Sequence, residues 1–246
     1  MGSVTVSIVS HALGALLPGL LEDLARCPDV DRVILTRNIP EPELEFDGRG
    51  WLEIVDNESS KGFGANHNAA FRLARTPYFA VLNPDIRLQG DPFPELLACG
   101  RERDAALCGP AVVKTDGTLE DSAREFPTVA GLIARVRGWN DGRVRFALGD
   151  PPLSVPWVAG MFMLVRSADY MAVGGFDEGF FLYYEDVDIC ARLWRSGRKV
   201  VICPEAIVVH DARRASRYNL RHKMWYAASV ARYFRKYLFE KPKTFS

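Results

Sequence analysis

No stretch of these 246 residues approaches the roughly 18 consecutive apolar residues of a membrane-spanning helix, so no helical span is expected. The first ten residues, Met-Gly-Ser-Val-Thr-Val-Ser-Ile-Val-Ser, lack the basic region and apolar core of a signal peptide and read as a buried strand. Cysteine is scarce: five residues, at 27, 99, 108, 190 and 203, form no Cys-x-x-Cys pair. An odd number set in apolar runs argues against a disulfide or zinc framework and fits reduced core thiols in the cytoplasm. Repeats and low-complexity tracts are also missing. Net charge is zero, from 31 basic and 31 acidic residues, yet the balance is uneven. Residues 212–243 carry ten Lys/Arg against one acid, Glu240, leaving 21 basic against 30 acidic residues elsewhere, near −9.

What is present is an ordinary globular composition, 48% hydrophobic and 25% charged, long enough for one large domain. Strands are expected at 4–9, 33–36, 51–55 and 78–82, with helices over 13–26 and from the Gly-punctuated loop 59–74. The Pro/Glu/Gly-rich connection 39–50 reads as a surface loop. Strands alternating with helices predict a largely parallel sheet flanked by helices, with ligands outside the carboxyl ends of the strands. Asn83-Pro-Asp85 falls at such an end. A strand at 105–114 with a turn at 115–118 follows, then an irregular Arg/Gly/Pro-rich stretch over 120–152. Further strands are expected at 157–165, 199–203 and 206–209.

The chain is organised around residues 174–195, Gly-Gly-Phe-Asp-Glu-Gly-Phe-Phe-Leu-Tyr-Tyr-Glu-Asp-Val-Asp-Ile-Cys-Ala-Arg-Leu-Trp-Arg. Val187, Cys190, Ala191 and Trp194 have helical spacing, which puts Glu185, Asp186 and Asp188 in the first turn, where backbone N–H groups favour anions. These acids serve either as plain helix caps or as part of a site. The aromatic wall Phe180, Phe181, Tyr183 and Tyr184 beside them favours a sugar-handling cleft, since sugar C–H faces pack on rings and hydroxyls need acceptors.

That stretch resembles the acceptor-site motif of family 2 glycosyltransferases with the GT-A fold, most closely the rhamnosyltransferase-like branch, and the likeness extends over about residues 4–211. It implies an α/β, Rossmann-like nucleotide-diphospho-sugar transferase fold with a mixed, mostly parallel sheet and a C-terminal helical tail. Residues 1–211 would form the transferase domain, about 1–100 the nucleotide-sugar half and about 101–211 the acceptor half, with 212–246 a basic amphipathic tail. The implied activity is an inverting, metal-dependent hexosyltransferase of cell-surface polysaccharide synthesis. Its partners would be a nucleotide-diphosphate sugar, dTDP-L-rhamnose by branch likeness, and a glycan or lipid-linked acceptor. Carried over residue by residue, Asp186 is the base and Glu185 orients an acceptor hydroxyl. Asn83 and Asp85 match the metal-binding Asp-x-Asp, of which only Asp85 supplies a full charge to a Mg or Mn ion. His210, 24 residues after Asp186, would complete the metal site, with Asp211 as a partner for its ring. Gly64 and Asn68 match a Gly-Phe-Gly-x-x-x-Asn segment and are either structural or donor-adjacent, while Lys61 and His67 read as surface residues. Trp157, Tyr183, Tyr184 and Asp188 are the candidate substrate contacts.

One departure concerns the nucleobase. The family carries an acid after its second strand, whereas this chain has Leu35-Thr-Arg-Asn38; Asp56 is the candidate to compensate. Two rival classes are a nucleotidyltransferase, whose Gly- and Arg/Lys-rich first loop is absent at 9–12, and a non-catalytic sugar-binding relative, which would have lost the acids retained here. The tail places Leu220, Met224, Ala227, Ala231, Phe234 and Leu238 on one stripe. It would dock on its own domain, lie on an anionic membrane surface at the inner face, or join two copies; no nucleic-acid motif accompanies its charge.

Overall fold

The computed structural model describes residues 2–42, 50–139, 142–211, 220–237 and 244. Parts of the 39–50 loop, and of the tail at 212–219 and 238–246 including Leu238, lie outside the described residues. Four parallel strands open the chain: β1 (Val4–Ser10), β2 (Val30–Arg37), β3 (Leu52–Asp56) and β4 (Tyr78–Leu82). Next come β5 (Ile86–Arg87), β6 (Ala105–Lys114), β7 (Ala123–Arg124), β8 (Leu153–Ser154), β9 (Trp157–Val158), β10 (Phe162–Arg166) and β11 (Lys199–His210). The main sheet runs β3-β2-β1-β4-β10-β6-β11-β5, with β8 on β11, and β7 pairs with β9 apart from it. β10 is antiparallel to both β4 and β6, so the sheet is mixed and mostly parallel, as expected. β1 sits between β2 and β4 and is buried on both faces, which explains why its sequence hardly alternates.

The helices are α1 (Leu17–Leu24), α2 (Phe63–Phe71), α3 (Phe93–Glu102), α4 (Val129–Val136), α5 (Ser167–Ala172), α6 (Glu185–Arg195) and α7 (Leu220–Tyr237). α1 starts later than the sequence suggests because Pro18, lacking an N–H, fits only the first turn; residues 14–16 form a 3-10 turn before it. The strands expected at 199–203 and 206–209 are one strand, β11, with a register shift between Cys203 and Ile207 where Pro204 cannot donate to the ladder. The expected strand over 157–165 instead breaks into β9 and β10 around Gly160, which the site uses. One core cluster packs α1 and α3 on the sheet, including Leu20, Leu21, Phe93 and Leu96, and a second packs α5 and α6 on it, including Tyr170, Ile189 and Trp194. A third, built of Phe180, Tyr184, Val187, Ala191, Tyr233 and Tyr237, joins α6 to α7. All five cysteines are buried and free. Among the described residues no helix is long and apolar enough to cross a membrane.

Candidate active site

Two cavities are linked through residues 160–161, whose backbone bonds to a wall residue of each, Asn83 and Asp186. The first, 490 Å³, opens at the carboxyl ends of β1 and β4, where Val9, Leu82, Asn83 and Asp85 line it. Strand order turns back at this point, with β2 and β3 on one side of β1 and β4 on the other, and such a crevice is where open α/β sheets bind ligands.

Asp85 is the acidic centre of that cavity. Its Oδ2 meets His210 Nε2 at 3.1 Å, and His210 Nδ1 lies 2.7 Å from Glu120 Oε2. Burial disfavours the imidazolium, but the Asp85 and Glu120 carboxylates outweigh it and push His210 up to about 9. Asp85 Oδ1 is buried with no partner. An orphaned carboxylate oxygen beside an imidazole is a donor pair suited to a divalent cation, with the ring giving up its proton as the ion enters. Among the described residues no cluster of three such side chains surrounds it, so the remaining ligands would be phosphate oxygens or water. Sequence reasoning gave the ring's second partner to Asp211; the structure gives it to Glu120, while the Asp211 backbone N–H donates to the Asp85 carbonyl at 2.9 Å. Nothing in the spacing marks Glu120, which reaches His210 from 90 residues away.

The nucleobase end also differs from expectation. Asp56 is gripped by Arg37, Nε to Oδ1 at 2.5 Å and Nη2 to Oδ2 at 2.7 Å, and is absent from the cavity wall. Asn38 is there instead. Its Oδ1 accepts from the Lys61 N–H at 2.8 Å and from Asn57 Nδ2 at 2.9 Å, and Asn57 also donates to Asn66 Oδ1 at 2.7 Å. Asn68 and Gly64 take the structural alternative. Asn68 Oδ1 accepts from the Phe176 N–H at 2.9 Å and from the Tyr170 hydroxyl at 2.7 Å. A Cβ on Gly64 would lie 2.7 Å from Phe176 Cβ. Neither lines the cavity, whereas Phe63, Asn66 and His67 of the same helix do. His67 is no surface residue: it is fully buried, held neutral by burial at about 3, with Nδ1 2.8 Å from Ser7 Oγ.

The second cavity, 460 Å³, is lined by Trp157, Tyr183, Tyr184, Glu185, Asp186 and Tyr226, with α4 and Arg124 completing its wall. Tyr183 and Tyr184 are left-handed, φ 72° and 69°, an uncommon conformation for bulky residues that here turns the chain into α6. Asp186 Oδ2 accepts from the Gly160 N–H at 3.0 Å and Oδ1 from the Val187 N–H at 2.8 Å. Glu185 is buried, and its Oε2 has no partner. Burial, and then the charge of Asp186, raise Glu185 well above the ordinary carboxylate range. Burial raises Asp186 too, but the Gly160 and Val187 N–H groups oppose the rise. Both carboxyls are thus raised, Glu185 without backbone donors on its orphaned oxygen and Asp186 against two such donors.

Asp188 is not a substrate contact. Its side chain is wholly buried and held by Arg192 Nε at 2.7 Å, Lys236 Nζ at 2.6 Å and the Tyr237 hydroxyl at 2.8 Å. The aromatic wall divides as well: Phe180 is buried beneath Arg232, and Phe181 faces the first cavity and packs on Trp225 with ring centres 4.6 Å apart. Only Tyr183 and Tyr184 face the second.

α7 joins the two cavities. Arg221, His222 and Trp225 line the first and Tyr226 the second. The Tyr183 hydroxyl is 3.0 Å from His222 Nδ1, Ser229 Oγ donates to the Leu182 carbonyl at 2.9 Å, and Arg232 and Lys236 both hold Asp177. The docked stripe is Trp225, Ser229, Tyr233 and Tyr237. The stripe expected from the sequence faces outward at its start, with Leu220 72% and Met224 64% exposed. Apolarity misled here because the inward face is built of Trp225, Ser229 and two tyrosines, with the Ser229 and Tyr237 hydroxyls donating to Leu182 and Asp188.

A family model described as glycosyl transferase family group 2 matches residues 78–237. The chain is 29% identical to the rhamnosyltransferase WbbL of Escherichia coli over 243 residues, 94% of this chain and 92% of that protein. It is 34% identical over 139 residues to an N-acetylglucosaminyl-diphospho-decaprenol L-rhamnosyltransferase of Mycobacterium tuberculosis, 53% of this chain and 45% of the relative. Among solved structures, a Pyrobaculum calidifontis mannosyltransferase in complex with GDP-Man and Mn²⁺ aligns with a TM-score of 0.64 at 13% identity. That alignment covers 96% of this chain and 64% of the neighbour, and its likeness is one of fold, the GT-A fold.

Proposed function

The chain belongs to the family 2 glycosyltransferases, and from that premise we propose that it transfers L-rhamnose from dTDP-L-rhamnose, with inversion, to a hydroxyl of a lipid-linked glycan in cell-surface polysaccharide synthesis. The carrying observation is the bridge that residues 160–161 make between wall residues of the two cavities: the Met161 carbonyl accepts from the Asn83 N–H at 2.9 Å, and the Gly160 N–H donates to Asp186. The donor would occupy the Asp85 side and the acceptor the Asp186 side. Asp85 and His210 would hold a Mg or Mn ion, which when bound neutralises charge on the diphosphate.

Asp186 accepts the proton of the acceptor hydroxyl as its oxygen bonds to the anomeric carbon. The bond from that carbon to the diphosphate oxygen breaks, and the electron pair leaves with the nucleoside diphosphate. Glu185, whose burial favours the protonated carboxyl, would donate a hydrogen bond that orients the acceptor, and Trp157, Tyr183 and Tyr184 supply faces for its sugar. The rhamnose donor rests on the two rhamnosyltransferase relatives, and the lipid-linked acceptor on the decaprenol-linked one.

A lipid-linked acceptor places the enzyme at the cytoplasmic face of a membrane. Exposed Leu220 and Met224 on α7, with Val129 and Ile133 on α4 and Trp139 just beyond it, belong to segments flanking the acceptor cavity. Lys223 and Arg235 lie on α7, and the Arg137 guanidinium lies 5.0 Å from the Trp139 ring centre. Apolar and basic side chains together suit an anionic lipid surface. A thermal-shift comparison of dTDP-, UDP- and GDP-sugars, with and without Mn²⁺, tests the donor: dTDP-L-rhamnose should raise the melting temperature most, and only with the cation. A larger shift with a UDP- or GDP-sugar would reassign the donor.

A further inference from the structure

We propose that Arg221 grips the β-phosphate of the donor and stabilises the departing nucleoside diphosphate, an inference that rests on the donor reading above. Among the described residues, the first cavity has one acidic centre, Asp85, and a cation held there would have part of its charge cancelled by that carboxylate. When the glycosidic bond to the donor breaks, the electron pair settles on the terminal oxygen of the β-phosphate, and the new charge needs a second positive group.

Among the described residues, the basic side chains on this cavity wall are His11, Lys61, His67, Arg221 and His222. His67 is buried and neutral. The Lys61 backbone is tied at both its N–H and its carbonyl to Asn38, just past the end of β2. Arg221 comes from a separate element, α7, and stands beside packed aromatic rings. The guanidinium carbon lies 5.5 Å from the Trp225 ring centre, Trp225 packs on Phe181, and neighbouring His222 meets the Tyr183 hydroxyl. α7 itself is anchored by Asp177 and Asp188. A planar guanidinium fixed over an aromatic ring presents a fork of N–H donors matched to two phosphate oxygens, which a lysine ammonium cannot reproduce. The Tyr183–His222 contact also ties this arginine's platform to the acceptor cavity.

The test compares wild type, Arg221→Ala and Arg221→Lys by calorimetric titration with dTDP, UDP and GDP and the matching monophosphates, with Mn²⁺ present throughout. Charge-assisted hydrogen bonds predict that Arg221→Ala weakens the bound diphosphate roughly tenfold or more and leaves the monophosphate nearly untouched. Arg221→Lys should recover part of the loss, and melting curves of both variants should match wild type. Equal diphosphate affinity in wild type and Arg221→Ala would overturn the assignment, as would equal losses for mono- and diphosphate. Failure of wild type to bind any of the three diphosphates would instead overturn the donor reading itself.

Discussion

The Gly160 N–H donates to Asp186 Oδ2 at 3.0 Å, and this bond makes the two adjacent acids unequal. Asp186 receives two backbone donors, while Glu185 has an orphaned oxygen in a buried setting. On the reading proposed above, Asp186 is the group that accepts the proton. Asp186→Asn should lower kcat by about 10²–10⁴-fold with donor affinity nearly unchanged, as read from steady-state rates and nucleotide titration. Wild-type turnover in Asp186→Asn with a dead Glu185→Gln would move the base to Glu185.

Glu185 carries a stability cost with a defined pH window. Its folded-state pKa is raised, so the folded protein holds a proton that the unfolded chain releases above about pH 4.3. Stability is then full below that pH and is lost as pH rises through the raised value. Glu185→Gln removes the effect, so it should melt higher than wild type near pH 8, with the gain shrinking as pH falls to 4. Calorimetric melting across that range reads the difference; a gain independent of pH would mean that burial does not set the Glu185 proton.

The cation site is tested through Asp85 and Glu120. Asp85→Ala should abolish the Mn²⁺ dependence of nucleotide binding. Glu120→Gln should weaken that dependence by about 10–100-fold, because the ring of His210 loses the carboxylate that orients it. Titrations with and without EDTA decide both. Identical curves for wild type in the two conditions would remove the cation from the mechanism.

Much of this site was legible in the residues. The spacing of Val187, Cys190, Ala191 and Trp194 places α6 correctly, and all four are buried. Asp85 at a strand end and Asp186 at a helix start follow from local pattern, because each needs only its own element to be placed. What the pattern misses comes from side chains meeting across long separations. Glu120 reaches His210, Asn38 reaches Lys61 and Asn57, and α7 clasps the 177–184 loop through tyrosines and charges rather than aliphatic residues. The same blindness made Asp188 look like a substrate contact, since its partners Lys236 and Tyr237 lie on a helix that reads as an appendage.

The outer face of α7 can be separated experimentally from its inner face. Deleting residues 220–246 would strip Asp188 of Lys236 and Tyr237 and expose the Phe180–Tyr184 cluster, so that truncation should unfold or aggregate the domain and says nothing of lipid. Leu220→Asp and Met224→Asp touch only the outer face, where both side chains already meet solvent. The double variant should melt like wild type and bind nucleotide equally, since neither residue lines a cavity. It should nevertheless lose binding to vesicles containing phosphatidylglycerol, because each apolar side chain withdrawn from the interface costs binding energy and each new carboxylate is repelled by the anionic surface. Co-sedimentation at low and high salt distinguishes the contributions, as charge attraction is screened by salt and apolar insertion is not. Undiminished vesicle binding by the double variant would remove this face as a lipid contact, and a wild-type dimer that it converts to monomer in analytical ultracentrifugation would assign the face to a second copy of the chain.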